Sequence, residues 1–297
     1  MSPVKIKNSN GMSSVKTSFN GITKPIINLA SEKMLYAVVE RLPQSLLLTG
    51  ENGVGLGTIS RYIAELRKVT PIVVLPEFDE KIDIDKGVIG VDIMRRLYNE
   101  TRTKTVNDRI IIIDYAERMT HQAQNAFLKL LEEPGKNIYF ILVSHSISKL
   151  LPTILSRTEN LDMKLITTKQ SEKLLDLLSI TDLTKRSQLL FMANGMPAEL
   201  TRLCTDEDYF DKRSVTVRDA RELLRGSLYQ KLLIAQRYKD DRASALILLL
   251  DVANILKLSV VAHPQIDTIS RIDTILDAYQ HIEANGNIRL CLARMVI

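Results

Sequence analysis

A chain of 297 residues with 45% hydrophobic and 25% charged residues has the composition of a soluble globular protein of two or three domains. Its net charge of +5 suits a phosphate backbone nearby, but with no long Lys/Arg tract and no Trp it does not indicate autonomous nucleic-acid binding. Cys204 and Cys291 have no metal-ligand spacing and read as reduced core thiols, and no apolar run is read as a membrane span of roughly 18–20 residues.

Residues 1–28 begin Ser/Lys/Asn-rich, lack the apolar segment of a secretory signal, and read as a disordered lead-in. Over 29–165, short apolar runs at 45–49, 71–75, 109–113, 137–143 and 160–165 alternate with helical patterns at 59–68, 89–103 and 121–133. Runs such as Ile110-Ile-Ile-Ile113 show no polar alternation, as strands covered on both faces require. A parallel α/β sheet follows. Thr120 is placed to cap the third helix, Pro134-Gly135 to end it, and Ala123, Ala126, Phe127, Leu130 and Leu131 form its apolar stripe. After 165 the strand signals stop. Residues 166–207 read as short helices closed by an acidic turn at 206–211, and 208–297 as longer helices of an all-α domain, at 215–224, 228–239, 242–256 and 268–284.

The first strand runs directly into Gly50-Glu-Asn-Gly53-Val-Gly55. A phosphate-binding loop has the form G-x-x-x-x-G-K-[ST]: its backbone N–H groups wrap the phosphates, its Lys neutralises their charge, and its hydroxyl holds Mg²⁺. Here Gly50, Gly53 and Gly55 are in place, but Leu56 stands at the Lys position and Gly57 at the hydroxyl position. Asp114, after Ile110–Ile113, matches the acid that faces Mg²⁺ from the end of a strand in such sites. Tyr115 follows it and cannot act as a carboxylate base at neutral pH. Taken singly, these signals also fit a glycine turn and a polar residue closing a strand. Together, at this spacing, they describe a phosphate-loop frame whose catalytic groups are replaced. His121 and His145 have no partner at metal or nucleophile spacing and read as exposed or locally bonded.

The residues from Ile111 to Pro134, with Leu-Leu-Glu132-Glu133-Pro134 at their end, and Leu150-Leu-Pro152-Thr-Ile-Leu-Ser156-Arg157 resemble the AAA+ clamp-loader family, nearest its delta-prime branch, which commonly carries a defective loop. The dense resemblance covers about 44–165. It implies an AAA+ domain at 29–165 with a five-stranded parallel sheet and helices on both faces, a small helical lid at 166–207, and an all-α collar for oligomerisation at 208–297. It assigns Ser156-Arg157-Thr158 to the family's S-R-C motif, in which the Arg reaches a neighbouring subunit's ATP site as a trans arginine finger. A solvated cap after a helix is the plainer reading of Arg157. Ser144 matches the first sensor position, and Ala198 stands where a second-sensor Arg is usual.

The implied role is a non-catalytic subunit with gamma/tau-like ATPase and delta-like partners, meeting the sliding clamp and primer-template DNA through the complex, in the cytoplasm and away from membranes. Weak or absent ATP binding is expected, as residual anion affinity of the glycine turn allows. No zinc is expected, because residues 61–108 contain no Cys and so lack the four-Cys module of many relatives. Two alternatives are an ATP-hydrolysing gamma/tau-type motor and a ring-shaped nucleic-acid-binding adaptor outside replication.

Overall fold

The computed structural model describes residues 5–7, 13–15, 24–84, 86–101, 107–262 and 266–295. Most of the expected lead-in at 1–28 lies outside the described residues; within it, Lys5–Lys7 pairs antiparallel with Ser13–Val15. The chain forms two compact units, Met1–Arg186 with Ala193–Thr201, and Ser187–Met192 with Arg202–Ile297.

The first unit is built on a five-stranded sheet in the order Ile72–Val74, Arg109–Ile113, Ile138–Ser144, Ser45–Thr49, Glu159–Asp162, with every pairing parallel. Successive side chains on a strand point to opposite faces, so an unbroken apolar run builds two cores at once. Leu47, Ile111, Ile113, Phe140 and Leu142 pack with helices α3 (Val91–Thr101) and α4 (His121–Glu132) on one face. Leu46, Leu48, Ile110, Ile112, Ile141 and Val143 pack on the other with α1 (Leu29–Glu40) and α2 (Leu56–Leu66). Phe127 and Phe140 meet edge to face, with ring centroids 5.3 Å apart. Thr120 caps α4 as expected, accepting from the Ala123 N–H. The short α5 (Pro152–Leu155) follows the fourth strand, and α6 (Thr168–Leu177) follows the fifth.

Helix α1 was not expected from the sequence: it buries only Ser31 and Leu35, too few for a visible stripe, and is started by the Asn28 side chain accepting from Ala30. The fifth strand, expected to reach 165, ends at Asp162. Met163 still donates to the Thr49 carbonyl, but the Leu165 carbonyl then accepts from Asn28 Nδ2 and the Ile166 N–H goes to Gly195, which draws the chain off the sheet.

The helices that follow are α7 (Leu183–Ala193), α8 (Pro197–Thr205), α9 (Glu207–Arg225), α10 (Leu228–Arg237), α11 (Arg242–Ala262), α12 (Ile266–Glu283) and α13 (Ile288–Arg294). The turn expected at 206–211 is instead the start of α9: Asp206 caps it by accepting from Tyr209, and Glu207 and Asp208 lie in its first turn, where negative charge suits the helix dipole. One more expectation is corrected. The stretch Arg242–Val260 is long and apolar enough to cross a membrane by length and composition, with a mean hydropathy of 1.8. Its Ala245, Leu248, Leu249, Val252 and Leu256 form the second unit's core with Ala220, Leu223, Ile275 and Ile282. Asp251, in the same helix, pairs with Arg213 at 2.6 Å. These contacts bury one face of α11 in the second unit's core.

Candidate functional site

The first strand delivers the chain to the glycine loop, and α2 leaves it. Gly55 sits at the cap of α2 with φ 90°, a left-handed conformation that favours glycine, so α2 begins at Leu56 instead of the expected Ile59. Gly53 has φ 98°, and a Cβ there would lie 2.9 Å from Met196 Sδ. The loop's carbonyls are engaged: Gly53 O accepts from the Ala198 N–H at 3.0 Å and the Glu199 N–H at 3.4 Å, and Gly50 O lies 3.1 Å from His145 Nδ1. Leu56, at the Lys position, is only 1% exposed and belongs to the core beneath the loop.

Asp114 directly follows the strand Arg109–Ile113 and is buried. It faces Gly57 as the sequence pattern implies: a Cβ added at Gly57 would lie 2.9 Å from Asp114 Oδ2. Beside both stands Arg61, to which no sequence motif assigns a role. Its Nη1 donates to the Gly57 carbonyl at 2.6 Å, and its Nη2 lies 3.5 Å from Asp114 Oδ2. Burial raises the Asp114 pKa above the ordinary carboxylate value, opposed by the charges of Arg61 and then His145. Glu117, on the turn just after, adds an upward push, and its Oε2 is buried with no hydrogen-bond partner among the described residues.

Tyr115 takes a left-handed φ of 58° and sets its ring 6.0 Å from that of His145. Ser144 is fully buried, paired in register with Thr49, and its Oγ accepts from the Ser146 N–H. That bond shapes the strand exit. The structure thus brings Gly50, Gly53, Gly55, Leu56, Gly57, Asp114, Tyr115 and Ser144 to the carboxyl ends of the central strands. They offer a Mg–nucleotide complex neither the Lys charge nor the hydroxyl ligand.

Arg157 stands apart, just beyond α5. Its side chain is 38% exposed; Nη2 pairs with Glu132 Oε1 at 2.9 Å and Nη1 donates to the Thr153 carbonyl at 3.1 Å. Ser156 Oγ donates to the same carbonyl and lies 3.4 Å from Nη1. The segment entering α5 is tied to α4 by Gln124, whose Nε2 donates to the Met119 and Lys149 carbonyls and whose Oε1 accepts from the Leu151 N–H at 2.8 Å. Neither Gln124 nor Glu132 was selected from the sequence. Away from the site, His121 is locally bonded, its Nδ1 lying 3.0 Å from Asn125 Nδ2.

Residues 74–167 match the family described as DNA polymerase III, delta subunit. The chain is 39% identical over 87 residues to DNA polymerase III subunit delta' of Haemophilus influenzae, covering 28% of this chain and 26% of that one. It is 35% identical over 88 residues to DNA polymerase III subunit gamma/tau of Mycobacterium bovis, covering 29% and 15%. These matches span about a quarter or less of the relatives' own lengths. Among solved structures, a DNA polymerase III gamma subunit-related protein from Thermotoga maritima superposes with a TM-score of 0.53 at 19% identity, covering 90% of this chain and 97% of that one, a likeness of fold.

Proposed function

We propose that this chain, which belongs to the AAA+ clamp-loader family close to its delta-prime members, is a non-catalytic subunit of a DNA polymerase III clamp loader. In this reading it donates Arg157 in trans to the ATP site of a gamma/tau-like neighbour while the complex, with a delta-like subunit, loads a sliding clamp onto primer-template DNA in the cytoplasm. Its own site binds ATP weakly or not at all and holds no metal. One observation carries the reading. Within a single unit, the guanidinium near the loop bridges Gly57 and Asp114, whereas the guanidinium of Arg157 is exposed beyond α5, where another molecule's phosphates can reach it.

The chemistry is that of a charge supplied from outside. A planar guanidinium presents fixed donors to charge developing on a transferring phosphoryl group, and such fingers contribute about 10³–10⁵ in rate where they have been removed. Glu132, itself exposed, pairs with Arg157 in the isolated chain and can yield it to a more strongly charged phosphate.

Reconstituting the chain with a candidate motor subunit and DNA tests this. Arg157→Ala should depress DNA-stimulated ATP hydrolysis by at least about tenfold, a small part of the range for arginine fingers, while the complex still assembles. Unchanged hydrolysis would sink the assignment. The gamma/tau match favours a second reading, an ATP-hydrolysing motor. Mg-dependent hydrolysis by the purified chain, or tight Mg-ATP binding by calorimetry, would select it.

A further inference from the structure

We propose that Arg61 supplies from within the chain the positive charge that a divalent cation would supply between Gly57 and Asp114, and that while it is seated the site excludes that cation. The inference deepens the reading of this loop as non-catalytic and rests on that reading alone, not on Arg157 or on any partner.

The geometry comes from helix spacing. Arg61 lies four residues after Gly57 on α2, so both are on one face of the helix. Its side chain, 19% exposed, folds back along that face until Nη1 is 2.6 Å from the Gly57 carbonyl and Nη2 is 3.5 Å from Asp114 Oδ2. The forked guanidinium can hold two acceptors at once, which an ammonium could do only as a point charge. Mg²⁺ takes oxygen ligands at about 2.0–2.1 Å in an octahedral shell. A metal bound to Asp114 Oδ2 on the side facing Gly57 would therefore sit against the guanidinium, with like charges in contact.

Gly57 belongs to the same arrangement. A Cβ at this position would be 3.0 Å from Arg61 Nη1, so a hydroxyl-bearing side chain and the seated guanidinium crowd one another. A hydroxyl-bearing residue at 57 and the seated Arg61 therefore compete for the same space. The buried Asp114 needs a cation nearby, and the protein provides one covalently.

The test titrates the purified full chain with Mn²⁺, followed by spin resonance of the free ion and by the thermal midpoint. Wild type should show no saturable site involving Asp114. Arg61→Gln, which removes the charge and keeps an amide donor, should gain at least about tenfold in Mn²⁺ affinity; a unit charge about 4 Å from a divalent ion at an effective dielectric near 20 would give roughly a million-fold, which solvent and salt reduce strongly. Arg61→Met should show the same gain, and Asp114→Asn added to either variant should abolish it. The proposal is overturned if wild type binds Mn²⁺ through Asp114 as tightly as the variants, if neither folded variant gains affinity, or if the gain survives Asp114→Asn. The Arg157→Ala assay can fail without touching this result, and the reverse also holds.

Discussion

Replacing Gln124 by Leu keeps most of the side chain's bulk and removes its amide. Gln124 is only 4% exposed, and the substitution strands three backbone groups: the Met119 and Lys149 carbonyls and the Leu151 N–H. A buried polar group left without its partner costs about 1–3 kcal/mol. The bond to Met119 is long at 3.3 Å, and those to Lys149 and Leu151 are only partly buried, so relaxation and water recover part of the loss. The expected destabilisation is about 2–4 kcal/mol by urea unfolding. The damage should also be local. Leu151 receives the first backbone bond of α5, from Ile154, and the chain beyond carries Arg157. Amide exchange should therefore accelerate most across residues 147–157. A loss below about 1 kcal/mol would refute the reasoning, because the three groups would then have found other partners. So would an exchange increase spread evenly over the first unit.

Two further outcomes follow from buried charge. Asp251→Ala removes from the buried guanidinium of Arg213 the carboxylate that binds it at 2.6 and 3.1 Å, and should cost about 3–5 kcal/mol by urea unfolding; the double change Arg213→Met with Asp251→Leu should recover most of that, and equal losses in both would refute the pairing argument. Asp114 has a folded pKa above its unfolded value of 3.8, so the stability its proton confers is fully present below the unfolded value and is lost as pH rises through the folded one. With Arg61 and His145 opposing the shift and Glu117 adding to it, Asp114→Asn should gain stability relative to wild type as pH rises from about 4 to 7; a shrinking difference would reverse the sign of the argument.

The sheet was legible because strands covered on both faces leave unbroken apolar runs, as Ile110–Ile113 and Phe140–Val143 do. Their order across the sheet could not be read from such runs, since each strand is apolar on both faces. Helix α1 was hidden by its shallow burial, and the start of α9 by acids that suit a turn and a helix N-terminus equally well. In α11, Asp251 broke the apolar run to the eye, while its pairing with Arg213, distant in sequence, was not visible. At the loop, the glycines and Asp114 were legible because their spacing is set by strand ends and a helix start. Arg61 carried a usable signal, its four-residue separation from Gly57, but nothing in the sequence says that a helix face will meet a strand end. Glu132 and Arg157 are 25 residues apart and meet only through the packing around α5.

The glycine loop keeps its shape for reasons of packing that involve no ligand. A phosphate-binding loop depends on its ligand to satisfy its inward N–H groups and to balance its charge. Here the loop is also held through its carbonyls, which no phosphate would engage: Gly53 O receives two N–H groups from the start of α8, and Gly50 O faces His145. A side chain at Gly53 would need an unfavourable φ and would strike Met196, so glycine is required there whatever the loop binds. Leu56 converts the position that would otherwise present a charge to phosphate into core, and burying a Leu side chain contributes about 1.5–3 kcal/mol. Restoring Lys at 56 would remove that contribution and place an ammonium in an apolar setting beneath the loop, which is a larger loss than the Leu term alone. The replaced residues therefore make a mutually consistent set. Leu56 fills the core, Gly57 leaves room, and Arg61 neutralises Asp114, so no single reversion recreates the phosphate site, and the frame around it can stay rigid without nucleotide.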